Sequence, residues 1–95
     1  MKATFHRLAE VELIGAARDL DAKAKLGHAF LAEYENWEAQ ICRFPLACPE
    51  IAPGIRCGYL KRFKYHVTYR VLHDAIRILY VRHARREPLR HWKRA

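Results

Sequence analysis

The chain reads as an α+β fold: an N-terminal strand and a helical hairpin packed on a three- to four-stranded antiparallel sheet, followed by a short C-terminal tail. Three observations predict it. Apolar residues recur every three or four positions through residues 8–44, apolar and polar residues alternate through residues 65–72, and Pro45, Pro49 and Pro53 separate the two patterns. With 95 residues, 52% of them hydrophobic, the chain is expected to form one domain, 1–95, whose single core needs neither disulfide nor metal.

An edge strand is expected around residues 3–6, where Thr4 and His6 alternate with Ala3 and Phe5. From about Leu8 to Leu20 the positions Ala9, Leu13, Ala16, Ala17 and Leu20 share a helical face, with Glu10 and Glu12 in the first turn where the macrodipole favours acids. A polar break at residues 21–25 leads into a second helix over about 23–44, striped by Leu26, Phe30, Tyr34, Trp37, Ile41 and Phe44 and ended by Pro45. So short a link makes an antiparallel helical hairpin. Its stripes read as core, because burying each large apolar side chain is worth roughly 1.5–3 kcal/mol.

The prolines and Gly54 mark residues 44–55 as loop. A strand follows over residues 55–60. A three-residue loop at 62–64 is preferred after it, since this buries Ile55 and Tyr59 and puts Arg56 on the polar face; a four-residue loop reverses those assignments. In residues 65–72 one face carries Tyr65, Val67, Tyr69 and Val71 and the other carries His66, Thr68 and Arg70. A two-residue turn at His73-Asp74 then opposes Arg70 to Arg77, Thr68 to Leu79, His66 to Val81 and Lys64 to His83. That register gives an apolar face of Val71, Ile76, Tyr69, Ile78, Val67, Tyr80 and Tyr65. The opposite face gathers Lys64, His66, Arg70, Arg77, His83 and Arg85 around Leu79 and Val81. Like charges directly opposed cost a sheet roughly 0.2–1 kcal/mol, so an Arg70–Arg77 pair invites an anion. Trp92, beyond Pro88, is expected to pack back on the sheet.

Charge is distributed as unevenly as the periodicity. Residues 1–47 carry six Lys/Arg against seven Asp/Glu, whereas residues 48–95 carry twelve against three. A basic strand-rich half points to a polyanionic partner, either nucleic acid or an acidic protein. The first residues, Met1-Lys-Ala-Thr-Phe-His-Arg7, do not resemble a signal peptide, and no stretch approaches a membrane span. Cys42, Cys48 and Cys57 have neither paired spacing nor even number, and His66 and His83 lack carboxylate or thiolate company. The expectation is a reduced, cytoplasmic protein with no metal, no cofactor and no membrane partner.

The string Gly54-Ile-Arg56, Arg62-Phe63, Tyr65-His-Val-Thr-Tyr-Arg-Val71 and Ile78-Leu-Tyr-Val-Arg-His-Ala-Arg-Arg86, with Pro88 and Trp92, resembles the RelE/ParE toxin superfamily of type II toxin–antitoxin and plasmid stabilisation systems. Leu26-Gly27, Phe30-Leu31, Glu33, Glu35, Ile41 and Phe44-Pro45 resemble its second helix. The likeness covers roughly Glu12 to Trp92. It implies the same strand, hairpin and sheet, a growth-inhibiting activity, and an acidic antitoxin partner. It further implies one of two targets. ParE-like members poison DNA gyrase by binding; RelE-like members cleave mRNA on the ribosome. Nuclease members commonly carry a Tyr or His-Tyr pair after the last strand, where this chain has Ala84-Arg85-Arg86, which favours the ParE-like reading. For a metal-independent nuclease the catalytic candidates are His83, His66 and Arg85. Those for binding target or antitoxin are Arg56, Lys61, Arg62, Lys64, Arg70, Arg77, Arg82 and Arg86. A non-toxic nucleic-acid-binding protein is the reading from a different class, disfavoured because the basic face lacks aromatic pairs suited to stacking bases.

Overall fold

A computed structural model describes residues 1–86 and 92–94. In chain order it runs β1 (Lys2–Phe5), α1 (Arg7–Ala24), α2 (Gly27–Arg43), β2 (Glu50–Ala52), β3 (Ile55–Leu60), β4 (Tyr65–Val71) and β5 (Ala75–His83). The strands form one sheet in the order β1-β5-β4-β3-β2, with β1 parallel to β5 and every other neighbour antiparallel. The two helices cover one side of it.

Helix α1 starts where the extended His6 accepts the Leu8 N–H on its own Nδ1 at 3.1 Å, an N-cap the periodicity does not reveal. It runs through the expected break. Residues 21–24 are exposed, but Ala22, Lys23 and Ala24 are good helix formers, and surface polarity alone does not end a helix. The stop comes at Lys25 in the left-handed region (φ 57°), with the Lys25 N–H reaching the Asp21 carbonyl at 2.9 Å and the Leu26 N–H reaching Leu20 at 3.2 Å.

Under the hairpin lies the main core: Ala9, Leu13, Phe30, Tyr34 and Ile41 from the helices against Leu60, Val67, Tyr69, Ile76, Ile78 and Val81 from the sheet. Trp37 seats α2 on β3. A Cβ at Gly58 would lie 2.6 Å from two indole carbons, so the missing side chain is what lets the ring lie on the strand. The same indole meets Tyr69 edge-on at 5.7 Å, and the Tyr69 hydroxyl donates to the Pro45 carbonyl at 2.8 Å. This side of the sheet is bonded as well as packed.

Several expectations are corrected. The sheet has five strands, because β2 forms in the proline-rich crossing and because β1 joins β5. The β3–β4 loop takes the four-residue alternative, pairing Leu60 with Tyr65 and Tyr59 with His66. Leu60 is therefore buried and Tyr59 is not, and Arg56 shares the helix-facing side with Tyr69. Between β4 and β5 the two-residue turn holds, giving Val71–Ile76, Arg70–Arg77 and Tyr69–Ile78. A bulge at Leu79 then shifts the register, so that Thr68 meets Tyr80, Val67 meets Val81, His66 meets Arg82 and Tyr65 meets His83. Val81 thereby enters the main core. Tyr80 moves to the outer side, where with Leu79, Ile55, Ala52 and Trp92 it forms a second cluster. Trp92 packs back as expected, edge-on to Tyr80 at 5.6 Å.

Candidate functional site: the outer face of the sheet

Cross-strand pairing arranges the outer face in three rows. In the first, Thr4, Arg77 and Arg70 lie side by side across β1, β5 and β4. The second, Cys57, Thr68 and Tyr80, merges with Leu79 and Ile55 and is covered by Trp92. The third is Tyr59, His66 and Arg82, across β3, β4 and β5. Two cationic rows thus flank an apolar one, about 7 Å apart per step along the strands.

In the third row the His66 ring meets Tyr59 edge-on at 5.2 Å, and Tyr59 is 46% exposed. The strand register sets Arg82 on the same row as this phenol and imidazole. In the first row the Arg77 guanidinium donates to the Phe5 carbonyl at 3.3 Å, while the Nε of Arg70 is enclosed without an acceptor among the described residues. Hairpin-tip residues Lys61, Arg62 and Lys64 are exposed beside the third row. The tip is fixed by the Arg62 N–H donating to Glu33 Oε2 at 2.9 Å and by Lys64 taking φ 62°.

The remaining candidates lie elsewhere. Arg56, expected on the polar face, is on the other side, where it donates to the carbonyls of Cys48 at 2.7 Å and Leu46 at 3.4 Å and so holds the loop after α2. His83 is parted from His66 by the bulge. It stands edge-on to Tyr65 at 5.1 Å on the helix-facing rim, in a recess of about 240 Å³ shared with Glu12, Asp19, Arg82 and Arg86. Its Nδ1 accepts the Arg85 N–H at 3.0 Å, which leaves Nε2 to carry the proton of the neutral ring. Burial, aided by the negative charge of Asp19, raises the Tyr65 hydroxyl above its ordinary pKa. Arg85 and Arg86 are exposed in the turn beyond β5. The two histidines therefore cannot act on one phosphate together.

Two features escaped the sequence. A three-residue loop buries Tyr59, whereas the four-residue loop of the structure turns it outward. Glu12 and Arg94 form a bidentate pair at 2.7 and 3.0 Å, and both also serve the edge of β5 beyond the end of β1. Glu12 Oε1 accepts the Val81 N–H at 3.0 Å, and Arg94 donates to the Leu79 carbonyl at 2.9 Å while lying 4.1 Å over the Tyr80 ring. Together they close an otherwise open strand edge. No signal linked positions 82 residues apart.

Among the described residues no three His, Cys, Asp or Glu side chains gather into a metal site, and no helix is long and apolar enough to cross a membrane. The three cysteines are free and half-buried, and burial raises the thiols of Cys42 and Cys57.

No family model and no curated protein matches the chain. Among solved structures, a chain of the chromosomal ParDE toxin–antitoxin (TA) system from P. aeruginosa superposes with a TM-score of 0.63 at 19% identity, over 87% of this chain and 95% of that one. The two chains share a fold. At such low identity the likeness is carried by the arrangement of strands and helices.

Proposed function

We propose that the chain is a single-domain toxin of a type II toxin–antitoxin module, ParE-like, which acts in the cytoplasm on DNA gyrase by binding and is neutralised by an acidic antitoxin. The observation that carries this reading is the superposition on a ParDE chain across nearly the full length of both molecules. The separation of His66 from His83 supports it, because a binding toxin needs no acid–base pair. Purified chain added to gyrase and plasmid DNA is expected to give enzyme-linked breaks and to leave mRNA in a translating extract intact. Uncut plasmid, together with unimpaired growth on induction, removes the reading.

One observation favours a second reading, a RelE-like ribosome-dependent mRNA endonuclease. Cleavage through the 2′-hydroxyl without metal needs a base, an acid and cationic groups around one phosphate. Among the described residues, Tyr59, His66 and Arg82 form a row that combines such residue types on the outer face. In this reading His66 serves as general base or acid and Arg82 neutralises the phosphorane. Truncated mRNA in the extract, lowered roughly 10²–10⁴-fold by His66→Ala, selects it over gyrase poisoning.

A further inference from the structure

We propose that Arg70 is the docking cation for a side-chain carboxylate of an acidic protein segment, bound on the outer face between Arg77 and the turn at Gly54. The proposal rests on the antitoxin reading and places a contact for that partner.

Arg70 differs from its neighbours in having no partner among the described residues. No hydrogen bond or ion pair joins it to the described residues, although it is half-buried and its Nε is enclosed. Arg77 donates to Phe5, Arg56 to Cys48, and Arg94 to Glu12. Directly opposite Arg70 stands Arg77, a second positive charge. Its far side abuts the turn, where Gly54 takes φ 74° and a Cβ would approach Nη1 at 3.5 Å. An enclosed donor without an acceptor and a like-charge pair both oppose folding. A carboxylate placed on the guanidinium relieves both, because it draws the side chain out of its enclosed pose and screens it from Arg77.

The neighbouring row selects a peptide over a polynucleotide. Along an extended segment, residues i and i+2 point the same way about 7 Å apart. A segment that sets an acid on Arg70 therefore sets its next same-side residue on the apolar row of Ile55, Leu79 and Tyr80. Tyr80 and Trp92 are engaged with each other, so among the described residues the rings of the neighbouring row are not free to stack a base.

The test uses the full chain, poly-L-glutamate as the carboxylate probe and a single-stranded oligodeoxynucleotide as the phosphate probe. Arg70→Met, which keeps the aliphatic stem, is compared with Arg18→Met, which removes an equal charge from the exposed surface of α1. Arg70→Met is expected to weaken poly-glutamate binding about 10–100-fold against about twofold or less for Arg18→Met, with an unchanged or higher Tm. Equal losses in the two variants overturn the proposal. So does a Tm lower by about 5 °C or more in Arg70→Met, which makes Arg70 a structural residue. An Arg70 effect confined to the oligonucleotide overturns the assignment to carboxylate. These readouts are independent of toxicity, so failure of the contact and failure of the toxin reading remain distinct.

Discussion

The two sides of the sheet are built to different rules. On the helix-facing side Trp37 lies on Gly58, Phe30 meets Phe63 and Tyr65, and Tyr69 reaches the Pro45 carbonyl, so that shape and hydrogen bonding agree. On the outer side Arg70 opposes Arg77 and its Nε has no acceptor among the described residues, while Tyr59 and His66 stand toward solvent. The first arrangement is what stabilises the molecule. The second carries costs that stability does not require, and those costs are understandable in a surface kept for a partner.

Substitutions on the two sides should therefore separate. Trp37→Ala is expected to cost about 3–5 kcal/mol in denaturant unfolding, because it empties the space between α2 and β3; a loss below about 1 kcal/mol makes that packing incidental. Glu12→Ala leaves the Val81 N–H without its acceptor and the Arg94 guanidinium without its carboxylate, and a loss of about 1.5–3 kcal/mol is expected. That result extends the rigid region to the β5 edge, whereas no loss returns the edge to the adaptable side. Tyr69→Phe removes the bond to Pro45 and is expected to cost about 0.5–1.5 kcal/mol.

The same hydroxyl has a pH signature. Burial raises both Tyr69 and Tyr34 above the ordinary tyrosine pKa, with Glu38 adding to the shift at Tyr34 through a 2.5 Å hydrogen bond. The unfolded chain then loses these protons first, so their contribution is complete below about pH 10 and is lost as pH rises beyond it. Unfolding followed from pH 8 to 11 should show that decline, and Tyr69→Phe should flatten part of it. Smallest of all should be the stability effect of His66→Ala, within about 0.5 kcal/mol, since the ring is exposed on the outer face. A large loss there erases the contrast between the faces.

How far the sequence carried the fold depended on whether its pattern had a period to read. Helices α1 and α2 were legible because Phe30, Tyr34, Trp37 and Ile41 repeat at helical spacing. Strand β4 was legible because Val67 and Tyr69 alternate with His66, Thr68 and Arg70. Strand β5 was harder. From Ile78 to Val81 every residue is apolar, so no alternation marks the bulge at Leu79, and the face assignments of Tyr80, Val81 and His83 beyond it all reverse. The hairpin tip failed for a related reason. Lys61-Arg-Phe-Lys64 suits loops of three or four residues, and the choice rested on burying Tyr59, when Leu60 was the residue to bury. Strand β2 is three residues between Pro49 and Pro53, too short to show any period.

The candidate site fared accordingly. Arg70 opposite Arg77 lies before the bulge, where alternation still reads the face; His83 lies after it, where alternation gives the wrong face. Arg56 shifted with the loop.

The most direct test of the central claim, that the outer face serves a partner while the other side holds the fold, is induction of the chain in growing cells beside a His66→Ala/Arg70→Met double variant matched for expression and Tm. Growth arrest by the parent and its loss in the folded double variant is the predicted result. Arrest of equal strength by both contradicts the account.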